Sequence, residues 1–237
     1  KKIFFKTQIL HLHFIRTIIS LISMYLMFYS ISKLPLSNVS IVSFAKIFFI
    51  IPLAFFFLKE KINFISLAFI ILGYLGVLIV IGFDNDSKNT IYYLSAVLAT
   101  FMIALVKVFI KKISEYDDAF LIQFWFSLIV FLILFLPYVS AAKMVSPKDL
   151  FYVTAASVTG LFAQYFSILG LKKADANTVM PFDFSRVVFG IILGVIFFNE
   201  KISPSMLSGL VLLLFSVCSL GYMHSRSKIK LVDKNNN

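Results

Sequence analysis

The sequence predicts an all-α integral membrane protein made of two inverted five-helix repeats, a ten-helix plan of which about eight helices are present. Three observations carry this. The composition is too apolar for water, eight apolar runs have the length of a membrane-crossing helix, and the second half repeats a pattern of the first. Of 237 residues, 60% are hydrophobic and 14% charged, with a mean hydropathy of +0.97. Soluble domains are about half apolar and about a quarter charged, so this chain lacks the polar residues for a water-facing surface. Lipid is its solvent. The alternation of period two that marks a membrane barrel is absent, and helices then remain the one way to satisfy a lipid-exposed backbone.

A spanning helix needs about 20 mostly apolar residues. Such runs lie at 14–32, 37–58, 64–82, 90–110, 119–138, 149–171, 176–198 and 204–224. Polar connectors separate them, among them Asp84-Asn85-Asp86-Ser87-Lys88-Asn89 and Lys143-Met144-Val145-Ser146-Pro147-Lys148. The tail from Ser225 to Asn237 is polar and basic, and is expected to be disordered.

The net charge of +11 is spread between the apolar runs and at the chain ends, so it speaks of topology rather than of nucleic acid. With the N-terminus in the cytoplasm and every run crossing once, 15 Lys and Arg residues fall inside and 5 outside. Lys46 and Arg186, the last two of the 22, lie within the membrane. The positive-inside bias therefore puts both termini in the cytoplasm. The single cysteine, Cys218, excludes a disulfide within the chain and a cysteine-based metal site. His11, His13 and His224 suggest no metal site, and no cofactor is expected.

The repeat is visible in two segments 140 positions apart. Phe57-Leu58-Lys59-Glu60-Lys61-Ile62 matches Phe197-Phe198-Asn199-Glu200-Lys201-Ile202. The same offset pairs Tyr25 with Tyr165, Leu21 with Leu161, Lys33 with Lys173 and Lys46 with Arg186. Glu60 follows a run directed inwards and Glu200 one directed outwards, so the repeats are inverted. Residues 1–86 form the first repeat, 87–224 the second, and 225–237 a polar cytoplasmic tail. The counterparts of the fourth and fifth runs would precede residue 1. A sequence shortened at its N-terminus by two helices is therefore expected.

With these motifs on two five-helix repeats, the chain resembles the EamA family of the drug/metabolite transporter (DMT) superfamily. The resemblance covers residues 14–224. Ile15-Arg16-Thr17 through Leu34-Pro35-Leu36, followed by the Lys46 helix and Glu60, is similar to the family's third and fourth helices. The turn Ala174-Asp175-Ala176 before the ninth helix also fits. Lys46 departs from the pattern, because many relatives have Pro or a small apolar residue there. The resemblance implies a secondary transporter for a small organic metabolite in a bacterial inner membrane. Carriers for S-adenosylmethionine, amino acids, riboflavin and drugs share this layout.

A charge at the centre of a bilayer costs about 2.5–3.5 kcal/mol on insertion scales and is rarely idle. Lys46 and Arg186 each stand near the middle of a run and should face the bundle interior. Asp183 lies three residues before Arg186, on the same helix face. Ser40 and Ser43 precede Lys46, while Tyr25, Tyr165, Gln164, Trp125 and Gln123 are candidates for the cavity wall. Two readings remain: a central site for a carboxylated or zwitterionic solute, or a salt-bridge cluster of Lys46, Asp183 and Arg186 that locks the halves. Asn177, Met180 and Pro181 mark a possible helix break that frees carbonyls towards the cavity. Gly190 and Gly194 have the spacing of close helix packing, and Glu60 and Glu200 read as structural signature. The expected partners are a small solute, the bilayer and, for assembly, a second copy in a homodimer; nucleic acid is not expected. A membrane-embedded enzyme would need a nucleophile, base or metal ligands at one depth, and none converge. A non-functional remnant of a shortened gene is the other alternative.

Overall fold

A computed structural model describes residues 7–58, 64–82, 89–141, 146–173 and 184–235. Its helices are α1 (Leu10–Ile31), α2 (Leu36–Phe44), α3 (Lys46–Leu58), α4 (Phe64–Gly82), α5 (Thr90–Ile113), α6 (Ala119–Ala141), α7 (Pro147–Lys173), α8 (Phe184–Phe198) and α9 (Pro204–Asn235). The described residues contain no strand. Among the described residues, five segments are long and apolar enough to cross a membrane: Leu10–Ile31, Leu36–Phe57, Thr90–Ile113, Ala119–Ser140 and Pro147–Lys173. Leu67–Val80, Phe189–Phe198 and Pro204–Leu220 are shorter apolar helices. The protein is a multi-pass, all-α membrane protein.

Local chemistry sets the helix ends. Pro147 opens α7 and Pro204 opens α9, where a missing N–H costs nothing. Ser146 caps α7 by accepting from the Asp149 amide at 3.1 Å while donating to its carboxylate at 2.7 Å. Ser203 accepts from the Met206 amide at 3.1 Å and caps α9 likewise. Asn199, with φ of 51°, turns the chain after α8, a left-handed conformation that Asn tolerates better than most residues.

Two expectations need correction. The run at 37–58 is not one helix, because α2 ends at Phe44 and α3 begins at Lys46. Around Ala45 the bonding tightens to steps of three, Ala45 N–H to the Val42 carbonyl and Phe48 N–H to the Ala45 carbonyl, each 3.0 Å. The tail expected to be disordered is helical as far as Asn235, continuing α9. Beyond Gly221 it contains neither Gly nor Pro, and its Lys, Arg and Leu residues are good helix formers.

The chain forms two compact units. The first comprises residues 1–21 and 109–174, the second 22–108 and 175–237. In the first, α6 packs on α7. In the second, α4 lies along α9 and α2 along α8. Small residues make both of the latter approaches possible. A Cβ on Gly76 would stand 2.9 Å from the Gly209 carbonyl oxygen, and one on Gly209 would stand 2.6 Å from that of Gly76. Ser216 donates from α9 to the Phe69 carbonyl of α4. A Cβ on Gly190 would collide with Ser40, and one on Gly194 with Ser37 and Glu200. Close approach of backbones through small residues is the usual adhesive of helices in lipid, where burial alone supplies little drive.

Candidate functional site

In the second unit, the interrupted span brings a cation to a helix start. Lys46 is 2% exposed and is the first residue of α3. Ser43, also buried, turns its hydroxyl back to the Ser40 carbonyl at 2.9 Å, so that donor is already engaged. Pro52 lies inside α3 and supplies no N–H to the helix, a second irregularity in the same span.

The start of α2 has an unusual cap. Pro35 occupies the N-cap position and offers no side-chain bond. Glu200 takes that role from the far end of the sequence. Its two carboxylate oxygens accept from the amides of Leu36 at 2.6 Å and Ser37 at 2.9 Å. An anion here also lies at the positive end of the α2 dipole. Asn199 and the bond from the Glu200 amide to the Gly194 carbonyl, 3.1 Å, hold the carboxylate in place. Glu60 lies outside the described residues.

In the first unit, polar side chains gather where α1 starts, α5 ends, α6 starts and α7 ends. His13 Nε2 and the Asp117 carboxylate are 2.8 Å apart, and Thr7 donates to the same carboxylate oxygen at 2.7 Å. Lys111 donates to the Leu171 carbonyl at 2.9 Å, and Lys172 pairs with Asp118. One turn beyond His13, Arg16 is 0% exposed. It donates from Nη1 to the Ile122 carbonyl at 3.3 Å, and its guanidinium carbon lies 4.6 Å from the centre of the Phe126 ring.

The residues expected to form the site fall in both units. In the second, Lys46 and Ser43 flank the same helix break. Tyr25 is 72% exposed and borders an apolar groove of about 260 Å³ with Leu26, Tyr29, Ile91, Leu94, Ser95 and Leu98. Arg186 stands in α8, and Asp183 lies outside the described residues, as do Asn177, Met180 and Pro181. In the first unit, Gln164 and Tyr165 are half-buried on α7, with the Tyr165 ring edge-on to Phe166 at 5.9 Å between centroids. Trp125 is half-buried on α6, and its Nε1 is buried without a partner. Among the described residues, no group of three His, Cys, Asp or Glu could hold a metal ion.

Arg16 and Asp117 were not candidates on sequence grounds. Arg16 entered as a topological charge and as part of the Ile15-Arg16-Thr17 stretch, and His13 as a histidine without a metal site. A signal was present, however. His13, Arg16, Thr17 and Ser20 recur at three- and four-residue steps along an otherwise apolar helix, the mark of a face turned away from lipid.

The chain matches the EamA-like transporter family over residues 1–82 and 90–222. It belongs to that family. Among EamA relatives, a riboflavin transporter of Brucella anthropi is 28% identical over 88% of this chain and 75% of its own length. An S-adenosylmethionine uptake transporter of Rickettsia prowazekii is 25% identical over 94% of this chain and 75% of its own. An uncharacterized transporter of Helicobacter pylori is 23% identical over 76% of this chain, which spans 62% of that relative's length. A chain of known crystal structure has the same fold, with a TM-score of 0.65 at 15% identity, over 90% of this chain and 77% of the other.

Proposed function

We propose that this EamA protein carries a small organic metabolite across a bacterial cytoplasmic membrane. Transport proceeds by alternating access between two inverted repeats, around a central cationic site that contains Lys46 and Arg186. The observation that carries the proposal is the buried Lys46 at the interruption of an apolar span. Broken helices in carriers expose backbone groups and charge to a solute near the bilayer midplane. A cation at that depth is costly enough to need a use. The two segments matched by the family, 1–82 and 90–222, support a two-repeat organisation. The transporter names of the relatives support a small solute. In this reading Asp183 and Arg186, three positions apart in the sequence, act together, Ser43 accompanies Lys46, and Tyr25, Tyr165, Gln164 and Trp125 are the further solute-binding residues. Both termini face the cytoplasm.

The test is uptake into cells or proteoliposomes, with labelled S-adenosylmethionine, amino acids and riboflavin as the panel. Arg186→Ala is expected to abolish uptake while membrane insertion persists; normal uptake would move the site elsewhere. Lys46→Ala should weaken uptake of carboxylated solutes more than that of riboflavin. Equal losses across the panel would instead identify Lys46 as part of a structural lock.

A further inference from the structure

We infer that Arg16 is a carboxylate-binding residue, whose guanidinium edge of Nε and Nη2 takes the carboxylate of a solute side-on. The inference rests on the carrier reading for the nature of its ligand, and it deepens that reading by choosing a solute class.

The argument begins with the donors of one side chain. A guanidinium has five N–H groups in a rigid plane. In Arg16, Nη1 is directed to the Ile122 carbonyl, while Nε and Nη2 are buried and have no partner. Nε and Nη2 lie on one edge and form the fork that meets both oxygens of a carboxylate. The guanidinium carbon lies over the Phe126 ring, and Nε and Nη2 still have no acceptor. Buried donors without acceptors are expensive, and a buried cation without an anion more so.

The first unit does not supply the missing anion. Asp117 is bound by His13 and Thr7, Asp118 pairs with Lys172, and Asp149 caps α7 at Ser146. Glu115 is exposed, whereas Arg16 is not. Further unmatched polar atoms occur close by in the sequence of the same two helices. His13 Nδ1, one turn before Arg16 on α1, is buried without a partner. Gln123 Oε1 and Trp125 Nε1, within the stretch of α6 bounded by Ile122 and Phe126, are likewise buried and unmatched. The Gln123 oxygen is an acceptor of the kind that suits an ammonium group, so a zwitterion uses both signs of this inventory. Of the two solutes named for the relatives, S-adenosylmethionine has a carboxylate and an ammonium group, whereas riboflavin has neither.

Trp125 is the only tryptophan of the chain, so its fluorescence reports from this stretch of α6. The full chain in lipid nanodiscs is titrated with L-methionine and S-adenosylmethionine, and with the methyl ester of each. The acids should give a saturable change in Trp125 emission, and the esters should need concentrations about tenfold higher or more. In Arg16→Gln the distinction between acid and ester should vanish. Arg16→Lys, which keeps the charge and loses the fork, should fall between. Helical content by circular dichroism checks each variant; if Arg16→Gln does not fold, the wild-type comparison and Arg16→Lys still decide. Equal responses to acid and ester, no response to either acid, or discrimination that survives in Arg16→Gln overturns the assignment. Riboflavin uptake by the same protein alongside any of those results would remove Arg16 as a solute ligand and leave the carrier reading standing.

Discussion

Leu36 and Ser37 direct their amides at a carboxylate 164 and 163 positions away in sequence. Helix N-caps contribute about 1 kcal/mol, and up to about 2 in favourable cases. Glu200→Ala should therefore lower stability by about 1–2 kcal/mol, read as an earlier thermal unfolding transition in detergent. Glu200→Gln should cost less, because its amide oxygen still accepts one bond; equal losses would mean that charge, not capping, matters. Glu200 was legible in the sequence as half of a repeated motif. Its partner was not, because contact between a side chain and distant amides leaves no periodicity to find. Arg16 was legible as a charge and not as a buried one, because its position six residues into α1 reads equally well as a flank of the span.

Pairs of helices show a similar split. The glycines at 190 and 194 announced close packing through their spacing, and α2 supplies the neighbour that spacing cannot name. Gly76 and Gly209 gave no such warning, since one lies on α4 and the other on α9. There the obstacles to a larger residue include a carbonyl of the opposite backbone, which has no rotamer to change, and at Gly209 also the side chain of Val80. Gly209→Ala should destabilise by about 1–3 kcal/mol through overpacking, measured by denaturant resistance of the purified protein. Gly160→Ala, where an added Cβ meets nothing within 4 Å, is the matched control and should change little. The break at Ala45 was invisible to hydropathy, because Ile41 to Phe49 contains neither Gly nor Pro and only Ser43 and Lys46 interrupt its apolar character. The tail failed in the opposite direction: polarity suggested disorder, yet the residues are helix formers attached to a helix already nucleated.

Hydropathy finds the apolar helices because lipid leaves the backbone so few options. Orientation rests on a different physical quantity, the bias of Lys and Arg to one face, and it yields a prediction for the assembled chain. A green fluorescent reporter fused after Asn237 should be bright, and a periplasmic phosphatase reporter at the same point should be inactive. The reverse pattern would invert the topology. The candidate site is the least legible part, since Lys46 and Trp125 were identifiable by type whereas burial, partners and unmatched atoms needed coordinates.

The trans cap on α2 also fixes an order of events in time. Synthesis runs from the N-terminus at about 5–20 residues per second, and 164 positions separate Leu36 from Glu200. The start of α2 must therefore wait roughly 8–33 s after emerging from the ribosome before its capping carboxylate exists. For that interval water, lipid headgroups or the insertion machinery must satisfy the amides of Leu36 and Ser37. The second unit is completed only once the helices beyond Asp175 have been made.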